Sequence, residues 1–138
     1  MWYVYALLSA FFAALTAIFA KLGVANINSN LATGIRTIVI LLMIGIIVLA
    51  RGEAKGLSTV SKHGVFFLVI SGIATGLSWL FYFKALQLGD VSKVAPVDKL
   101  SVALVIILSA IFLKEALTTR TIIAAILIIS GTIVLVTK

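Results

Sequence analysis

The fold class the sequence predicts is an all-α integral membrane protein with five transmembrane helices, and three observations predict it. Apolar residues make up 63% of the chain and charged residues 11%, whereas an ordinary soluble domain is about 25% charged. The mean hydropathy is +1.31. The apolar residues fall into five runs, at about 2–20, 31–50, 64–88, 93–113 and 118–137, each of a length suited to a hydrocarbon core of about 30 Å. Polar residues collect between the runs. No internal repeat and no stretch long enough for a soluble domain interrupts them, so 1–138 reads as one transmembrane domain.

Trp2 to Ala20 is the first run, and at 1.5 Å per residue it spans about 28 Å as a helix. It is not read as a signal peptide, because no basic residue precedes it and four more spanning runs follow. Ala6, Ala10 and Ala14, with Ala13 and Ala17, place small residues where another helix can approach closely. Lys21 and Gly23 are expected to end this span, and Asn26 to Asn30 to form the turn. In the second run, Leu31 to Ala50, Arg36 lies about five residues inside. From that depth it either snorkels to the interface or faces a cavity.

The longest polar stretch, Arg51 to His63, is expected to be an exposed interfacial loop, and its histidine is read as solvated. In the third run, Gly64 to Leu88, Gly72 and Gly76 form a small-xxx-small pair for close packing. Thr75, Ser78, Trp79 and Tyr82 recur at helical spacing on overlapping faces. Of these, Thr75, Trp79 and Tyr82 are candidates for lining a cavity, together with Arg36 and Lys84.

Gln87 to Leu104 is the stretch around which the chain is organised. Two long apolar runs meet there, and charge continues into the second. Asp90 and Ser92 offer helix-capping side chains, and Pro96 is placed in the first turn, where a missing N–H matters least. Asp98 and Lys99 follow inside apolar sequence. An ionised group near the middle of a span costs about 2.5–3.5 kcal/mol on insertion scales, so these side chains are expected to face protein or a water-filled cavity. Pro96, Asp98 and Lys99 complete the candidate set. A turn centred near Val91 would set Lys84 and Asp98 at one depth as an ion pair. The fourth run closes at Lys114 and Glu115; in the fifth, Ser130-Gly131-Thr132 is expected to be a packing notch, and Lys138 to lie at the opposite interface.

The eleven Lys and Arg residues are scattered singly at the ends of apolar runs, which fits membrane topology and not a nucleic-acid stripe. With no cysteine, one histidine and four dispersed carboxylates, the chain offers no disulfide, thiolate, metal-ligand spacing or nucleophile–base pair. The expectation is therefore no enzyme, no cofactor and no metal.

The stretch WLFYFKALQLGDVSKVAPVDKLSVALVIILSAIFLKEALTTRTIIAAILIISGTIVLV resembles the second half of an EamA domain of the drug/metabolite transporter superfamily, and ALLSAFFAALTAIFAKLGV is similar to that domain's first span. The resemblance covers essentially the whole chain and comes nearest to the short, single-domain members. Larger relatives carry two such domains in opposite orientations, so it implies a five-helix bundle equivalent to half of a ten-helix transporter. It implies a secondary active transporter or exporter of small metabolites, working by alternating access in the cell membrane of a prokaryote. The site would lie between two oppositely oriented chains, a homodimer or a pair with a sister chain. The alternative is a non-transporting membrane subunit or assembly partner of another membrane protein.

Lys21, Arg36, Lys84 and Lys99 all fall toward one membrane face, with Asp98 as the nearby carboxylate, which favours an anionic or zwitterionic substrate. Five spans put the termini on opposite sides. Arg51, Lys55, Lys62, Lys114 and Arg120 then face Lys21, Arg36, Lys84, Lys93, Lys99 and Lys138, five basic residues against six. Because orientation follows the excess of Lys and Arg, a near tie permits insertion both ways and an antiparallel homodimer. Leaving out Arg36, Lys84 and Lys99 as intramembrane gives five against three, which favours a fixed orientation and a sister chain.

Overall fold

The computed structural model describes residues 1–137, and Lys138, expected at the far interface, lies outside the described residues. Five helical runs are long and apolar enough to cross a membrane: Trp2–Val24, Ser29–Ala50, Lys62–Leu88, Val91–Leu113 and Thr119–Val136. The first three are single helices, α1 (Trp2–Val24), α2 (Ser29–Ala50) and α3 (Lys62–Leu88). The fourth is divided into α4 (Val91–Asp98), α5 (Leu100–Leu108) and a π-helical turn, Ser109–Leu113, and the fifth is α6 (Thr119–Val136). The chain forms two units, one covering Phe19–Gln87 and the other Met1–Ile18 with the chain from Leu88 onward.

In the Phe19–Gln87 unit, α1 runs past Lys21 and Gly23 to Val24, since a single glycine costs a helix only about 1 kcal/mol. α2 starts at Ser29, two residues before the expected boundary, because Asn28 takes an extended N-cap conformation and its Oδ1 accepts from the Asn30 N–H at 2.8 Å. It ends at Ala50 with Arg51 as its C-cap, followed by Gly52 in the left-handed region at φ 68°, where glycine carries no Cβ penalty. The expected interfacial loop then folds into a 3-10 helix, Glu53–Thr59, with no buried residue. Ser61 starts α3 by accepting from the Gly64 N–H at 3.0 Å.

Burial in this unit gathers at one end. Val24 at the end of α1, Ser29, Ala32 and Thr33 in the first turns of α2, and Phe83 and Leu86 near the end of α3 are its buried residues. Polar contacts fasten the same end. The Lys21 ammonium donates to the Leu86 carbonyl at 2.6 Å, and the Gln87 amide donates to the carbonyls of Ile27 at 3.0 Å and Val24 at 3.5 Å. The Gly72–Gly76 pair, expected to receive a close-packed helix, has no other heavy atom within 4 Å of where a Cβ would sit.

In the other unit, α6 packs along both α4 and α5. Asp90 occupies the N-cap of α4 in extended conformation, but its carboxylate makes no capping bond; its backbone carbonyl accepts from Lys93 and Val94 instead. Because the helix begins at Val91, Pro96 is its sixth residue and not a first-turn proline. Its missing N–H removes the helical partner of the Ser92 carbonyl, and the helix is interrupted three residues later. The Lys99 N–H is shared between the carbonyls of Ala95 at 3.3 Å and Pro96 at 3.1 Å before α5 begins. In the expected 130–132 notch, Gly131 meets open space while Thr132 is buried.

Candidate functional site

Two places in the fold hold the expected site residues. The first lies on facing stripes of α2 and α3. Ser29, Ala32, Thr33 and Arg36 recur at the three- and four-residue spacing of one helix face, and the first three are buried. On α3 the corresponding stripe is Trp79, Tyr82, Phe83 and Leu86, of which Phe83 and Leu86 are buried. Packing these stripes carries the Arg36 guanidinium to Trp79, with Cζ 4.1 Å from the ring centroid and 5.5 Å from that of Phe83. Tyr82, half-buried, lies close enough to interact with the same charge electrostatically. The Arg36 side chain thus lies against aromatic rings of α3. A cation–π contact stabilises by about 0.5–1 kcal/mol where exposed and by about 2 kcal/mol where desolvated, so this half-buried contact offsets part of the cost of placing a charge in an apolar run.

Among the described residues the guanidinium is seen in no hydrogen bond and has no carboxylate partner beyond this contact with Tyr82. The one carboxylate of its unit, Glu53, sits in the 3-10 segment and pairs with Arg51 at 3.6 Å. Six Lys and Arg residues accompany that single acid between positions 19 and 87, so Arg36 is an unneutralised cation.

Lys84 is exposed and is drawn toward the end of α3, where it donates to the Gln87 Oε1 at 3.2 Å. Thr75 is also exposed, and its hydroxyl donates to the Ser71 carbonyl of its own helix at 2.9 Å. Neither joins the Arg36 cluster.

The second place is the break in the fourth span. Pro96 is half-buried, and its carbonyl accepts from the Thr132 hydroxyl at 3.4 Å, a long contact beside the shorter one from that hydroxyl to Ile128 at 2.8 Å. Asp98 pairs with its sequence neighbour Lys99 at 3.2 Å. Lys84 and Asp98, expected to pair, belong to different units, and within its own unit each has a local partner, Gln87 for Lys84 and Lys99 for Asp98. No group of His, Cys, Asp or Glu among the described residues could hold a metal ion. Reasoning from sequence missed Phe83 and Gln87. The signal for Phe83 was its place four residues beyond Trp79, on the stripe opposite Arg36.

The sequence pattern of the EamA-like transporter family matches residues 1–137. The chain belongs to the EamA-like transporter family. It is also similar to a Sinorhizobium sp. protein described as "Uncharacterized transporter in cobO 3'region", 56% identical over 116 residues that cover 84% of this chain and 82% of that protein. No solved structure matches it. This EamA-like chain is therefore a multi-pass membrane protein, and both its family and its relative point to transport, not catalysis. In that setting the two charged places differ in chemistry. The break offers an ion pair that is already neutral, while Arg36 offers a positive charge with open donors.

Proposed function

We propose that this EamA-like chain is a secondary active transporter or exporter of small metabolites, working by alternating access in the inner or plasma membrane of a prokaryote. Two oppositely oriented chains form the working unit, with the substrate site between inverted repeats near the bilayer midplane. The observation that carries this reading is family membership over residues 1–137 in a chain with five spanning runs. An odd number of spans puts the two ends of one copy on opposite faces, and a second, inverted copy supplies the repeat that a two-domain transporter has in one chain. The bacterial source of the related transporter supports the location. The unneutralised Arg36, with Lys21 and Lys84 near the end of the same unit, supports an anionic or zwitterionic substrate.

Purified protein reconstituted without any partner should catalyse flux of at least one small organic anion or zwitterion. Flux confined to organic cations, or none either alone or with an oppositely oriented sister chain, would overturn this reading. Single cysteines introduced at Ser58 and at the C-terminus separate the two forms of the pair, since the chain has no native cysteine. Partial labelling from outside at both positions fits two copies of this chain. Strict labelling at one position assigns the second place to an oppositely oriented sister chain.

A further inference from the structure

We infer that Arg36, held on the Trp79–Phe83 face, is an oxyanion receptor whose ligand is a carboxylate-bearing small molecule. This deepens the transporter reading and rests on it for the ligand being cargo. Three observations carry it. First, the contact that holds Arg36 is made with ring faces, 4.1 Å to Trp79 and 5.5 Å to Phe83. Ring faces compensate charge but accept none of the five guanidinium N–H donors. Second, the guanidinium is seen in no hydrogen bond or ion pair with a described residue, Tyr82 meeting its charge electrostatically, although other polar side chains of the same helices, Thr33, Thr37 and Thr75, are all bonded to backbone carbonyls. Third, the side chain lies on the stripe of α2 that carries the buried Ser29, Ala32 and Thr33, with its charge unbalanced inside the unit.

A planar fork of open donors, oriented by stacking and partly removed from water, is the arrangement that binds a carboxylate through two parallel N–H···O bonds. The aromatic shelf sets the direction of the fork before a ligand arrives, which lowers the cost of ordering it on binding. An oxyanion can reach Arg36 from two sources, a soluble carboxylate or the phosphate of an anionic lipid, and the chemistry of the fork is common to both. A soluble carboxylate is the better match, because a flat two-oxygen anion uses both edges of the fork.

The reporter is Trp79 itself. Trp2 is the other tryptophan, so a Trp2→Phe background leaves the emission of Trp79 to follow what happens on its face. The protein is placed in phosphatidylcholine nanodiscs and titrated with acetate, succinate and glutamate, with inorganic phosphate and methylammonium alongside. The expected result is a saturable change with at least one carboxylate and none with methylammonium. The apparent Kd should weaken at least about tenfold in Arg36→Gln, the effect of losing a charge-assisted hydrogen-bond pair. Arg36→Lys, which keeps the charge and loses the fork, should also bind more weakly than the parent. A change produced by adding phosphatidylglycerol, and by no carboxylate, overturns the carboxylate as the ligand and leaves lipid phosphate as the oxyanion that Arg36 receives. A response that Arg36→Gln leaves unchanged, or no response to any of these anions, overturns the inference. Flux measured in parallel separates the two readings. Flux with an Arg36-independent signal leaves the transporter standing without this receptor, and anion binding without flux does the reverse.

Discussion

Arg36 and Lys99 are both cations within spanning segments, and they are accommodated by different physics. Lys99 lies at a break in its span, directly after the one residue that can neutralise it, and the Asp98–Lys99 pair at 3.2 Å needs nothing else from the fold. Arg36 lies in an unbroken helix with no acid in reach, and its charge is met by the faces of Trp79 and Phe83 contributed by another helix. A pair between sequence neighbours persists whatever the surrounding helices do. A cation held across two helices ties their packing to whatever occupies its donors. The comparison therefore sets structural accommodation at the break in the fourth span against the ligand chemistry proposed for the α2–α3 cluster.

The largest effect is expected from Trp79→Ala. It removes a half-buried aromatic and leaves Arg36 without its main compensation, a combined loss of about 2–3 kcal/mol readable as a lowered melting temperature in detergent. Trp79→Phe keeps a ring face and should recover most of that loss. If Trp79→Ala were as stable as the parent, Arg36 would not depend on the shelf and the contrast with Lys99 would fail.

Pro96→Ala acts on the other side of the comparison. It restores an N–H for the Ser92 carbonyl and should stabilise α4 by about 1 kcal/mol, seen as a raised melting temperature and as slower amide exchange near Lys99. A smaller effect, under about 1 kcal/mol, is expected from Asp98→Asn, because Lys99 is more than half exposed and an exposed pair contributes little. Thr132→Val should cost least, about 0.6 kcal/mol, since its hydroxyl bonds chiefly to its own helix and reaches Pro96 only at 3.4 Å.

Much of this architecture was legible in the sequence, because length and apolarity alone decide what can cross a bilayer and the five runs are unambiguous by both. The boundaries shifted where capping chemistry outweighed hydropathy. Asn28 starts α2 at Ser29, and Gly23 fails to stop α1 before Val24. The broken fourth span was hidden because the effect of Pro96 depends on where its helix starts, and Val91 places it beyond the first turn. For the candidate site, Arg36, Trp79 and Tyr82 could be chosen from residue type and helical spacing. Phe83 was passed over as one more apolar residue in an apolar run. Lys84, Thr75 and Asp98 looked equally eligible, and what separates them is the nearest partner: Gln87, Ser71 and Lys99 each satisfy one of them locally. Periodicity shows which residues share a face, but not which of them already has a partner.

The most direct test of the account is carboxylate flux in proteoliposomes made from the parent, Arg36→Gln and Asp98→Asn proteins, each shown to be folded by its melting curve. The account predicts that Arg36→Gln slows flux at subsaturating substrate at least about tenfold while Asp98→Asn stays near the parent rate. The opposite order, with Arg36→Gln transporting normally and Asp98→Asn inactive, would contradict it and move the site to the break in the fourth span.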